Sequence, residues 1–120
     1  MYLRKLVVIL GVPIDRVNMA ETLSRLDQLV RTGRETGRNY QVTTINTDFI
    51  VKSLRDPELR YLLQNADLAI PDGMPLVWGA RLLGVPLTER VAGADLISCL
   101  GEMAADKGHS LYLLGAGPGV

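Results

Sequence analysis

The sequence predicts an α/β fold: a Rossmann-like parallel sheet with helices on both faces. Three observations predict it. Short apolar runs alternate along the chain with amphipathic stretches of helical period. The run Asp67-Leu-Ala-Ile-Pro-Asp-Gly73 reads as a buried strand, an exit turn and a helix start, which sets a carboxylate at the carboxyl end of a strand. The last residues, Leu113-Leu-Gly-Ala-Gly-Pro-Gly-Val120, read as a strand entering a glycine-rich turn.

In chain order, residues 6–10 (Leu-Val-Val-Ile-Leu) form the first strand, and Gly11-Val12-Pro13 turns out of it. Asn18 caps a helix through about Arg31, with Glu21 in capping-box position. Met19, Leu23, Leu26 and Val30 share one helical face, and a polar loop runs from Gly33 to Asn39. Tyr40 to Ile45 is a second strand, favoured by Val42 and the β-branched Thr43 and Thr44. Thr47 or Asp48 then caps a helix carrying Phe49, Ile50 and Leu54. Asp56-Pro57-Glu58 starts another, which buries Leu59, Leu62, Leu63 and Ala66.

The strand around Leu68 follows, and Pro71 cannot continue it. Met74-Pro75 begins a helix that runs through Leu83 and stops at Gly84. Pro86 to Arg90 is an irregular link. Gly93-Ala94-Asp95 opens the next helix, with Leu96, Ile97, Leu100 and Met103 inward and Gly108 closing it. Ser110 to Leu114 is the last strand. A parallel sheet that stopped on the following turn would leave this strand uncovered. Residues 1–120 therefore read as a single incomplete domain, expected to expose Leu111 to Leu114, to self-associate into a homo-oligomer or be marginally stable, and to be inactive alone.

Composition narrows the function. With 48% hydrophobic residues the chain is globular material. Thirteen basic and thirteen acidic side chains cancel, so no global field points to nucleic acid. The single cysteine, Cys99, excludes an internal disulfide and fits a reducing cytoplasm; its apolar neighbours suggest a buried small hydrophobe. The single histidine, His109, reads as a surface turn residue with no support for a metal site. The apolar run after Arg4-Lys5 is too short for a signal peptide and lacks a cleavage site. No segment approaches transmembrane length, so any membrane contact is expected to be peripheral.

Three polar clusters sit where strands end or helices begin: Thr43-Thr44-Ile45-Asn46, Asp72-Gly73, and Glu89-Arg90-Val-Ala-Gly-Ala-Asp95. On neighbouring parallel strands the first two bring a hydroxyl, an amide and a carboxylate to one edge, where open α/β sheets bind ligands. Arg90 supplies a cation. Such a set suits a reaction needing a general base and a stabiliser for departing phosphate. Each member also has a plainer account. Asp72 just before a helix is a good N-cap, as is Asn46 or Thr47. Thr44 favours strands, Arg90 suits a solvated loop, and Asp95 suits a helix's first turn. The spacing does not name the reaction. The Gly115-x-Gly117-x-Gly119 run fits a phosphate-binding turn or merely a tight one, and is not a full dinucleotide fingerprint.

The elements Leu10-Gly-Val-Pro-Ile-Asp15, Thr44-Ile-Asn46, Ala66-Asp-Leu-Ala-Ile-Pro-Asp-Gly73, Glu89-Arg-Val-Ala-Gly-Ala-Asp-Leu96 and Leu113-Leu-Gly-Ala-Gly117 resemble, in order, the N-terminal half of the WecG/TagA/CpsF glycosyltransferase family. The resemblance implies transfer of an N-acetylhexosamine-type sugar, N-acetylmannosamine or its uronic acid, from a UDP donor to a polyprenyl-diphosphate-linked acceptor. The anomeric centre is inverted, and the products serve teichoic-acid or other cell-surface polysaccharide synthesis. It implies Asp72 as the base, Thr44 and Asn46 at the sugar pocket, and Arg90 near the donor diphosphate. Gly73, Gly93, Gly115 and Gly117 would allow close approach of substrate to backbone. Thr47 stands where many members have proline. The family's downstream glutamine-containing phosphate-binding region and C-terminal membrane-targeting appendage have no counterpart in these residues. The full-length protein is then expected in the cytoplasm, peripheral at the inner face of the membrane. No Asp-x-Asp pair of the kind that holds a metal at a nucleotide diphosphate appears, and no cofactor is assigned. Two other functions compete: the nucleotide-cofactor-binding domain of a dehydrogenase, built on the terminal glycines, and a non-catalytic interaction module.

Overall fold

The structure is a computed structural model that describes residues 3–84, 87, 91–115 and 118. Two small sheets and five helices make a mixed α/β arrangement. The chain runs β1 (Leu6–Ile9), β2 (Val12–Asp15), α1 (Met19–Thr36), β3 (Val42–Ile45), α2 (Thr47–Ser53), α3 (Pro57–Gln64), β4 (Leu68–Pro71), α4 (Met74–Leu82) and α5 (Gly93–Lys107).

β3 and β4 form a parallel pair, with Thr44 opposite Ile70 and Ile45 opposite Pro71. The α2 and α3 helices make the crossover between them. Every residue of β4 is buried, the pattern of a parallel strand covered on both sides. Leu68 and Ile70 join Leu29 of α1 and Leu96 of α5 in one apolar cluster. Ala69 and Ile45 join Ile50 of α2, Leu63 of α3, Val77 of α4 and the hairpin residues Ile9 and Ile14 in another. Helices therefore cover both faces of the pair.

The expected single parallel sheet does not form among the described residues. Val12 and Pro13, expected with Gly11 to form the exit turn, instead begin a strand over residues 12–15 antiparallel to β1, with Val7 opposite Ile14 and Ile9 opposite Val12. The turn itself is only Leu10-Gly11, both left-handed at φ 49° and 82°, as a two-residue hairpin loop requires. Asp15 locks this hairpin to the parallel pair. Its fully buried carboxylate accepts from Arg4 Nε (3.1 Å) and Nη2 (2.8 Å) and from the backbone N–H of Ala69 in β4 (2.7 Å).

The expected strand from Ser110 to Leu114 is likewise absent. Residues 111–115 have no ladder partner among the described residues, and Leu111, Tyr112, Leu113 and Leu114 are exposed. A strand is defined by its neighbour, and apolar composition alone does not supply one. The exposure foreseen for this segment is observed.

Helix starts follow local chemistry closely. Asn18 and Glu21 form a reciprocal capping box on α1. Asp56 Oδ1 accepts from Glu58 N and Leu59 N at the start of α3, with Pro57 behind it. For α2 the cap is Asn46, one of the three candidates, rather than Thr47 or Asp48; Asp48 instead pairs with Lys52 one turn on. Inward faces shift in detail: Leu29 rather than Val30 is buried in α1, while Leu62 and Ile97 face solvent. β4 includes Pro71 as its last residue. Among the described residues no helix is long and apolar enough to cross a membrane.

Candidate functional site at the carboxyl edge of the parallel strands

β3 and β4 end side by side. The N–H of Asp72 donates to the carbonyl of Ile45 at 2.8 Å, so Asn46 and Asp72 leave the sheet together. The N–H of Val91 donates to the carbonyl of Pro71 at 2.7 Å, which draws the residues before α5 to the same edge. A Cβ placed on Gly93 would lie 3.6 Å from Asp72 Oδ2. The structure thus brings Thr44, Asn46, Asp72, Gly73 and Gly93 to one edge, and all five are half-buried.

Asp72 does not act as a cap. The N-cap of α4 is Gly73, with no side-chain hydrogen bond. Gly73 adopts φ 102°, a conformation side-chain-bearing residues rarely take. That backbone carries the helix start one residue beyond Asp72. Its carboxylate makes no hydrogen bond or ion pair with the described residues, and it borders the first residue of α5, whose N-terminus also lacks a side-chain cap. A part-exposed carboxylate with no partner among the described residues has the chemistry to take a proton from a bound hydroxyl.

Asn46 has the opposite fate. Its Oδ1 accepts from Phe49 N at 2.9 Å and caps α2. The bond fixes the side chain and leaves Nδ2 without a partner among the described residues. Thr44 faces the same side of the sheet as Val42, alongside the cluster under α1 and α5.

Arg90 and Gly117 lie outside the described residues. Gly115, at φ 128°, has open space where a Cβ would stand. Cys99 is only half-buried. Among the described residues no three His, Cys, Asp or Glu side chains converge as a metal site would require.

His109 departs from its surface reading. Its side chain is 6% exposed, and Nε2 lies 2.7 Å from Asp27 Oδ1 in α1. Arg31 Nη2 holds the other carboxylate oxygen at 2.8 Å. The hydrogen bond from His109 chiefly, with the charges of Arg31 and Lys107, holds the Asp27 carboxyl below its ordinary pKa against the opposing effect of burial. Nothing around His109 in the sequence signals a partner 82 residues away. This pair ties the residues after α5 to α1, remote from Asp72 along the chain.

An α/β chain with a carboxylate, unpartnered among the described residues, at the carboxyl edge of parallel strands has the layout at which open α/β sheets bind ligands. Its family is more particular: the chain belongs to the glycosyl transferase WecG/TagA/CpsF family, whose model matches residues 7–120. It is similar to the N-acetylglucosaminyldiphosphoundecaprenol N-acetyl-beta-D-mannosaminyltransferase of Bacillus spizizenii, 28% identical over 106 residues covering 87% of this chain and 41% of the relative. The protein of the same name from Bacillus subtilis is 28% identical over 75 residues, 62% of this chain and 29% of that one. The chain thus spans well under half the length of these relatives.

Proposed function

We propose that this chain is the N-terminal part of an inverting glycosyltransferase. In this reading the enzyme moves N-acetylmannosamine, or a close N-acetylhexosamine-type sugar, from UDP to an N-acetylglucosamine carried on a polyprenyl diphosphate. The observation that carries the proposal is Asp72: a part-exposed carboxylate, released from capping by Gly73, at the shared edge of β3 and β4. Family membership and the acceptor named in the relatives support the reaction class over dehydrogenase or interaction-module readings.

Asp72 accepts the proton of the acceptor hydroxyl as its oxygen attacks the anomeric carbon. The new C–O bond forms on the face opposite UDP, whose oxygen leaves with the electron pair of the breaking bond. Asn46 Nδ2 and the Thr44 hydroxyl are suited to hold the sugar, and Arg90 to balance charge on the departing diphosphate. Gly93, lacking a side chain beside Asp72 Oδ2, leaves room for the acceptor. In the longer protein we place the β3–β4 pair within a Rossmann-like sheet continued by later residues, working at the cytoplasmic face of the membrane through peripheral contact.

The test is transfer by the full-length protein from UDP-N-acetylmannosamine to a polyprenyl-diphosphate-linked N-acetylglucosamine, with product stereochemistry read by NMR. A β-linked product from an α-linked donor supports the proposal. Retention of configuration, or no transfer, overturns it.

A further inference from the structure

β3 keeps one edge open. The carbonyls of Gln41 and Ile45 accept from Leu68 and Asp72 on the β4 side. Backbone direction alternates along a strand, so the N–H and C=O groups of Val42 and Thr44 point the other way, where no described strand pairs with them. A groove flanks this edge on each face. One, of about 460 Å³, lies between Tyr40 and Val42 and the α1 residues Leu26, Val30 and Arg34. The other, of about 250 Å³, lies between Gln41 and Thr43 and the helix residues Phe49, Leu59 and Leu62. An open ladder edge with a groove on either side fits a strand whose side chains alternate between the two faces.

One segment has the matching deficit. Leu111, Tyr112, Leu113 and Leu114 are 50%, 87%, 81% and 89% exposed. Its start is already fixed beside the larger groove. His109 holds Asp27 at 2.7 Å, and Asp27, Val30, Arg31 and Arg34 share one side of α1 at helical spacing. Val30 and Arg34 of that set line the groove.

The path of the chain leads to the same edge. β3 reaches β4 through α2 and α3, which pack on the face that carries the hairpin. α5 lies on the opposite face, where Leu96 joins Leu29, Leu68 and Ile70. The excursion through α4 is over by then, because Val91 is back at the carbonyl of Pro71 when α5 begins. Parallel crossovers are right-handed. A crossover on the opposite face therefore carries the chain back across the sheet, past β3 to its open edge. The outer edge of β4 is closed to it, since the N–H of Ala69 there donates to Asp15.

We propose that Leu111–Leu114 seats on the open edge of β3 as a third parallel strand, and that this contact assembles a ligand crevice between Asn46 and Gly115. The strand order becomes β4, β3, then the seated segment, so the connections leave β3 in opposite directions. Open α/β sheets bind ligands at such a switch point, beyond the carboxyl ends of the strands. The crevice then lies beside Asp72, and its use for a UDP-sugar rests on the transferase reading above. The seating of the strand does not.

The experiment is residue-resolved hydrogen exchange on the full-length protein. In wild type the amides of Val42 and Thr44 should exchange on the order of 100-fold or more slowly than open amides. Tyr112→Asp and Leu113→Asp each set a charge into one of the two grooves, at positions exposed in this structure. Either should release that protection, with the amide of Thr43, which points to β4, unchanged. Both should also weaken UDP-N-acetylmannosamine binding on the order of tenfold. Unprotected amides in wild type overturn the proposal. Protection that survives both substitutions overturns it in favour of another strand, and protection that grows with protein concentration overturns it in favour of a second copy. Released protection with donor affinity unmoved overturns the crevice. Wild type that binds no UDP-sugar overturns the transferase reading and the crevice with it, while the exchange result still decides the strand.

Discussion

Replacing Asp72 with asparagine separates the proposed chemistry from folding, because the cap of α4 falls on Gly73. α4 takes its N-cap from Gly73, and the Asp72 carboxylate has no hydrogen-bond partner among the described residues. The backbone N–H of Asp72 still donates to Ile45 after substitution. Asp72→Asn removes no cap, empties no cavity and strands no buried group. Its stability change should stay within about 0.5 kcal/mol, the range of surface substitutions away from such features. The amide cannot accept a proton at neutral pH. A general base contributes roughly 100- to 10,000-fold, so transfer should fall by at least about 100-fold, or about 2.7 kcal/mol in the barrier. UDP-sugar affinity should persist, since the base acts on the acceptor. The assay is single-turnover transfer by the full-length variant, with donor titration and thermal melting alongside. Transfer at the wild-type rate with an unchanged melt would refute the base assignment. A large loss of stability would refute the claim that Asp72 is structurally idle.

Three further outcomes are expected from the packing. Asp15→Ala leaves Arg4 and the Ala69 N–H without their shared carboxylate, and should cost on the order of 3 kcal/mol in denaturant unfolding. Asn46→Ala should lose about 1 kcal/mol through the α2 cap, whereas Asn46→Asp keeps the cap and melts like wild type while weakening donor binding. Asp27 has a folded-state pKa depressed below its ordinary value, so its contribution is complete above about pH 4 and is lost as pH falls through the folded value. Asp27→Asn should therefore be less stable than wild type at pH 7, and the gap in melting temperature should close as the medium is acidified below about pH 4.

The sequence displayed α1 and α3 most clearly because each carries its start signal locally. Asn18 with Glu21, and Asp56 before Pro57, needed no tertiary information to be read. The hairpin was harder. Its turn uses Leu10, a residue type with no turn signature, and Pro13 looked like a strand breaker. The ladder resolves that conflict. Arg16 N bonds to Lys5 O, and pairing alternates along the antiparallel strands, so Pro13 opposite Val8 falls where no inward N–H is required. The stretch Leu111–Leu114 erred in the other direction. Its composition is strand-like, but a strand also needs a neighbour, and composition is silent about neighbours.

The candidate site was ambiguous in the sequence for one physical reason: the side chains that cap helices are the ones that accept protons and hydrogen bonds from substrates. Asn46 and Asp72 both precede helices, and local spacing treats them alike. Backbone geometry separates them. With Asn46 extended before α2, its Oδ1 reaches Phe49 N, and the cap becomes a positioning device that holds a free amide donor at the edge. At the neighbouring strand, Gly73 takes the cap position with a dihedral that other residues avoid, and the carboxylate before it is left without a hydrogen-bond partner among the described residues. One residue inserted between strand and helix thus decides whether an acid stabilises the fold or stands ready for a substrate. Under the proposed function, Gly73, which bears no reactive group, therefore matters to this edge as much as Asp72 does.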